Sequence, residues 1–200
     1  MKEVFLTNSI KFITKYNNKY TSDDIDKIKY GLEGLYLTIT KLIIIFILAI
    51  LFGFFKELII MLIFFNIIRF PAFGFHADKS YTCLIISIIL ILGLTYFMIK
   101  TAIPKEIQLL ISIICTSTFI IFAPADTVKR PLTNKKKRKY RKIASCICAV
   151  IYTFLIFFIK NNILSNLILT SLIIETIMIN PITYKIFGMP YNNYKKLVKT

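Results

Sequence analysis

Histidine occurs once in these 200 residues, at position 76. Zinc draws three or four nitrogen, sulfur or oxygen ligands, and a lone histidine begins such a set poorly, so neither a metal site nor a cofactor is expected. Cysteine occurs four times, at 83, 115, 146 and 148. Cys146 and Cys148 have only Ile147 between them, which is not the CxxC redox spacing, and three of the four lie within apolar runs and read as small core residues. Acid is scarce too, with ten Asp and Glu against 26 Lys and Arg, a formal charge of +16. In a soluble chain that excess would suggest nucleic acid. Here the cations cluster between apolar runs, the pattern of membrane topology, so no nucleic-acid partner is expected. No short apolar segment with a small-residue cleavage site opens the chain, so no cleaved signal peptide is expected. Nor is an internal repeat evident.

What the sequence has in quantity is apolar surface: 56% of its residues are hydrophobic and 18 are phenylalanine, more than a soluble domain of this size carries. Apolar spans run approximately over 35–55, 58–70, 83–99, 107–123, 143–159 and 163–179. The expected fold class is therefore all-α: a polytopic membrane protein with about six transmembrane helices. Residues 1–34 mix lysines with Val4, Phe5, Ile10, Phe12 and Ile13, then pass the helix-start signal Thr21-Ser22-Asp23-Asp24, and read as two short interfacial helices. They would form a cytoplasmic or interfacial part, with residues 35–200 as the transmembrane part of one domain overall. The second span is shorter than the ~20 residues that cross a bilayer and runs into a segment at 69–80 that reads as re-entrant or broken. Such backbone survives at membrane depth only when buried in protein or lining a wet cavity.

With the N-terminus inside, 22 of the 26 cations fall on the cytoplasmic side, and only Lys56, Lys100, Lys105 and Lys160 fall outside. The bias sets the orientation: both termini, the 69–80 segment and the basic run from Lys129 to Lys142 face the cytoplasm.

His76 precedes Cys83 by seven residues, and a cysteine nucleophile with a histidine base is the smallest constellation that cuts a peptide bond without a metal or cofactor. On unbroken helix the two Cα atoms would stand roughly 10 Å apart, too far for the ~3 Å contact of base and nucleophile. A histidine earlier on the same helix also leans away from the cysteine. The chain must bend between them. Pro71 and Gly74 permit a bend, and Asp78 or Ser80 is suited to cap a new helix whose opening turns hold Cys83 and favour its thiolate. Arg69, at the end of an apolar span, either binds a carboxylate or orients the loop. The run from Lys129 and Arg130 to Lys142 packs nine cations into fourteen residues, as an anchor on the anionic leaflet or as a dock for an acidic peptide. Glu175, a carboxylate inside the sixth span, needs a cationic partner or serves to orient His76, a role for which Asp78 competes.

The residues Arg69, Gly74, His76, Ala77, Ser80 and Cys83 resemble the signature of the AgrB family, accessory gene regulator protein B of Gram-positive bacteria. The likeness extends to Lys41-Leu42-Ile43, to Ala123-Pro124 with Lys129-Arg130-Pro131, and to Ile174-Glu175 with Pro181. The resemblance implies a membrane-embedded cysteine endopeptidase, a thiol protease of quorum sensing. Its substrate would be an AgrD-like precursor peptide with an amphipathic leader, a signal core and an acidic tail. By resemblance Cys83 and His76 are catalytic, Arg69 belongs to the site, the tail is cleaved through a thioester on Cys83, and the core closes to a thiolactone or lactone, the autoinducing peptide. A homodimer in the cell membrane is also implied. Two other classes compete: a peptide exporter, suggested by six spans, Glu175 and the basic loop but lacking inverted repeats, and a noncatalytic scaffold for a sensor kinase.

Overall fold

The computed structural model describes residues 2–16, 20–75, 80–127 and 131–194. Its elements are α-helices: α1 (Lys2–Tyr16), α2 (Ser22–Leu51), α3 (Phe55–Ala72), α4 (Ser80–Ser87), α5 (Leu94–Lys100), α6 (Lys105–Phe122), α7 (Lys135–Phe158), α8 (Asn162–Ile179) and α9 (Pro181–Ile186). A π-helical stretch, Ile88–Gly93, joins α4 to α5. Among the described residues no strand forms, and an isolated bridge joins Phe73 and Ala125. Five helical stretches among the described residues are long and apolar enough to cross a membrane: α2, the run from Tyr81 to Lys100, α6, α7 and α8. The chain is an all-α polytopic membrane protein. Helix α3 corresponds to the short second span, and its 18 residues include Lys56, Glu57 and Arg69.

The chain divides into two compact units, Met1–Phe52 and Gly53–Thr200. In the first, α1 packs on α2, with Lys2 on Glu33 at 2.7 Å and Phe5 against Tyr36. Where two short helices are expected in residues 1–34, the structure has α1 and then one 30-residue helix from Ser22 into the first span. Its start is the expected one: the Thr21 side chain accepts from the Asp24 N–H while Asp24 accepts from the Thr21 N–H, a capping box. Nothing after it stops the helix. Gly31 and Gly34 cost about 1 kcal/mol each relative to alanine, too little to end a helix, and no proline intervenes.

In the second unit α8 is the central helix, packed against α3, α5, α6 and α7. Its sequence is apolar on nearly every side, as a buried helix must be, and residues 165–172 are all buried. Tyr152 of α7 reaches the Phe64 carbonyl of α3 at 2.8 Å. The outward faces of α6 and α7 expose Ile113, Ile114, Ile120, Ile147, Phe154 and Phe157, as surfaces in contact with lipid do. Cys115 is buried in the core and Cys148 packs against it, in keeping with small core residues.

The basic run from Lys129 to Lys142, between two expected spans, is helical from Lys135 onward. Asn134 makes this possible by accepting from the N–H groups of Lys136 and Lys137 at 3.0 and 3.1 Å. Three lysines in the first turn oppose the helix dipole, so the cap and the contacts of Arg138 and Arg141 described below hold the turn against its own charge.

Candidate active site

Helix α3 carries Pro71 inside its last turn and ends at Ala72. The next two residues turn the chain with positive φ: Phe73 at 63° and Gly74 at 113°. Phenylalanine in that region costs on the order of 1 kcal/mol, and the surroundings hold it there. The Ala125 N–H donates to the Ala72 carbonyl at 3.0 Å, the Gly74 N–H to the Ala125 carbonyl at 2.8 Å, and the Phe75 N–H to the Met178 carbonyl at 2.7 Å. Two separate parts of the chain, at Ala125 and Met178, therefore fix residues 72–75.

Arg69 completes the brace. Its Nη1 meets Glu175 Oε2 at 3.1 Å and Oε1 at 3.4 Å, while its Nη2 donates to the Phe75 carbonyl at 2.7 Å and the Gly74 carbonyl at 3.4 Å. Glu175 is fully buried and the Arg69 side chain is 25% exposed. The Arg69 guanidinium is thus spent on Glu175 and on the turn, which favours orienting the loop over holding a substrate carboxylate. Glycine is required at 74. A Cβ there would lie 2.5 Å from Arg69 Nη1 and 3.0 Å from the Met178 carbonyl oxygen, in a backbone region that L side chains rarely adopt.

His76 and Asp78 lie outside the described residues, as do Lys129 and Arg130. Ser80 opens α4, and Cys83 stands half-buried in its first turn. Four residues separate the end of the braced turn from the start of α4. The structure thus brings together Arg69, Gly74 and Glu175 from the expected set, and places Cys83 just beyond the break.

Several residues of this region carry no sequence pattern that singles them out. Arg141 of α7 donates to the Phe70 carbonyl at 2.6 Å and lies 4.3 Å from the Phe73 ring centroid. Phe75 meets Tyr184 edge-on at 5.8 Å and stacks on Phe187 at 4.8 Å. The Tyr184 hydroxyl donates to the Ala125 carbonyl at 3.3 Å, and burial pushes its phenol up, against the opposing charge of Arg69, so it stays a neutral donor. Buried Asp126 accepts from the backbone N–H groups of Asn193 at 3.1 Å, Tyr194 at 2.9 Å and Leu132 at 3.2 Å. The one available signal was that Asp126 is the sole acid between Glu106 and Glu175.

Residues 6–179 match the family model AgrB, Accessory gene regulator B. The chain belongs to the AgrB family. A putative AgrB-like protein of Clostridium acetobutylicum is 32% identical over 178 residues, 88% of this chain and 85% of the relative. One from Listeria innocua is 31% identical over 85% of this chain and 83% of its own length. Accessory gene regulator protein B of Staphylococcus carnosus is 34% identical over 67% of this chain and 70% of its own. No solved structure matches. The AgrB match takes in the braced turn, Cys83 and Glu175.

Proposed function

We propose that this AgrB-family chain is a membrane-embedded cysteine endopeptidase of accessory gene regulation, with Cys83 as nucleophile and His76 as base. One observation carries the reading: α3 is broken at Phe73, the broken end is locked by Arg69, Ala125 and Met178, and Cys83 follows in the first turn of the next helix. His76 is the residue directly after that lock. A locked approach suits a base that must hold its position to within fractions of an ångström.

Cys83 Sγ attacks the carbonyl that joins the signal core to the acidic tail of a precursor peptide, and its proton passes to His76. The carbon–nitrogen bond breaks as His76 returns that proton to the departing amine, leaving the core as a thioester on Sγ. A thiol or hydroxyl within the core then attacks the same carbonyl. The ring is released and the Cys83 thiol restored. Exclusion of water keeps the thioester from hydrolysis, and the apolar bundle around residues 72–75 supports that. Arg69, Gly74 and Glu175 are positioning residues, Asp78 is the remaining candidate to orient His76, and Ser80 begins the helix that carries the nucleophile. Lys129 and Arg130 lead the basic run that draws the acidic tail. The cation count supports a site and both termini on the cytoplasmic side of the cell membrane, and the reading includes a homodimer.

The test is purified protein in anionic liposomes with a synthetic precursor. Wild type should release the tail and form an acyl-enzyme of the mass of the core, while Cys83→Ser and His76→Ala should do neither. Full cleavage by Cys83→Ala would overturn the assignment.

A further inference from the structure

We propose that the pocket between the end of α6, the first turns of α7 and the segment Tyr191–Tyr194 binds the phosphate group of an anionic phospholipid. The proposal is independent of the peptidase reading. The cavity is about 420 Å³, with Ile121 and Phe122 from α6, Arg138 and Lys142 from α7, and Tyr191 and Tyr194 among its lining residues.

Arg138 lies flat on Tyr194, its Cζ 3.4 Å from the ring centroid, and its Nη2 reaches Asn192 Oδ1 only at 3.5 Å. Its Nη1 is sealed from solvent with no hydrogen-bond partner among the described residues. A buried cationic donor left without an acceptor is costly. Lys142 follows four residues later on the same helix face, and like charges at that spacing repel unless an anion sits between them. Among the described residues the carboxylate beside the pocket is already engaged. Asp126, the acid that acts on Tyr191, has Oδ1 committed to Asn193 and Oδ2 to Leu132 and Tyr194.

The composition of the pocket selects the source of the anion. Helix α7 changes at Lys142–Ile143 from a cationic to an apolar surface, so the pocket lies where a spanning helix passes from headgroups to hydrocarbon. Tyrosines favour that level. One wall is apolar, and Ile121 beside it is 66% exposed. An acidic peptide or a free phosphate would use the two cations and leave that wall bare. A phospholipid has phosphate and acyl chain in the order the pocket offers, and basic pockets between spanning helices are suited to such headgroups.

The experiment is native mass spectrometry of the full chain, titrated with dioleoylphosphatidylglycerol and, separately, with dioleoylphosphatidylcholine. Wild type should retain the anionic lipid in preference to the zwitterionic one. Arg138→Gln and Lys142→Gln should each weaken that retention about five- to tenfold, whereas Lys135→Gln and Lys136→Gln, equal charge losses on the same helix, should change it less than about twofold. Lys142 is exposed, so its variant keeps the test valid even where Arg138→Gln disturbs folding. Equal losses in all four variants would reduce the effect to general surface charge and overturn the site. So would inorganic phosphate binding as tightly as the lipid, or displacement of the lipid by an equimolar Asp/Glu-rich peptide.

Discussion

Arg69 and Glu175, 106 residues apart in sequence, meet at 3.1 Å, and the same guanidinium holds the Phe75 carbonyl at 2.7 Å. The pair therefore links the central helix α8 to the backbone just ahead of His76. Breaking a buried ion pair from one side costs about 3–5 kcal/mol, because the remaining charge is stranded, whereas replacing both partners with apolar residues is often neutral. Glu175→Leu should accordingly lower the thermal midpoint sharply and abolish tail release. The double variant Arg69→Met with Glu175→Met should regain stability but not cleavage, since the carbonyls of residues 74 and 75 lose their donor. Recovery of cleavage in the double variant would show that the brace supports stability only.

Gly74→Ala should slow tail release on the order of 100-fold without removing the nucleophile. The added methyl would meet Arg69 Nη1 at 2.5 Å and the Met178 carbonyl at 3.0 Å, with φ at +113°, so the guanidinium or the turn has to move. A displacement near 1 Å at a catalytic group costs on the order of 100-fold in rate. Precursor cleavage in liposomes measures it, and a variant within about threefold of wild type would mean that the turn tolerates the shift.

Much of this region was legible because the chemistry was local. Pro71 and Gly74 predicted a break between Arg69 and Cys83, and α3 does end at Ala72, with Cys83 in the first turn of the next described helix. The left-handed Phe73 was not legible, since a phenylalanine takes that conformation only under contacts from Ala125 and Arg141, distant in sequence. Glu175 announced that it needed a partner. Which cation would answer depended on how α3 packs on α8. The second N-terminal helix runs on into the first span: the composition change at Leu35 resembles a boundary, while the backbone has no reason to stop there. The helical start of α7 was hidden by its lysines, whose unfavourable position is offset by the Asn134 cap and by aromatic contacts that only the fold supplies.

Asp126 gathers three backbone N–H groups from two segments, residues 132 and 193–194. An asparagine in its place would turn an amide donor toward at least one of those donors. Asp126→Asn should therefore cost about 1.5–3 kcal/mol, the range for hydrogen bonds to a charged acceptor, and should release the C-terminal segment first. Limited trypsin digestion reads this directly: cleavage at Lys185 and beyond should accelerate well before the bundle unfolds. Unchanged digestion would mean that the packing of Tyr184 and Tyr191 holds the segment alone.

Arg141 offers the sharpest separation of charge from geometry. The Phe70 carbonyl stands at the C-terminal end of α3, where the Gly74 N–H that could have reached it donates to Ala125 instead. Arg141 fills that vacancy at 2.6 Å and lies over the Phe73 ring, placing a cation at the negative end of a helix dipole. Lysine in its place keeps the cation count that orients the chain in the membrane but loses the planar guanidinium that stacks and donates at once. Arg141→Lys should thus insert as wild type does, as protease protection of the termini would show. Its rate of tail release should still fall about tenfold, from the loss of one hydrogen bond and one cation–π contact worth about 1–2 kcal/mol together. Arg141→Gln should fall further, because it forfeits the dipole interaction as well. If lysine restored the full rate, positive charge near the α3 terminus would suffice, and the grip of α7 on the broken turn would have no part in positioning His76.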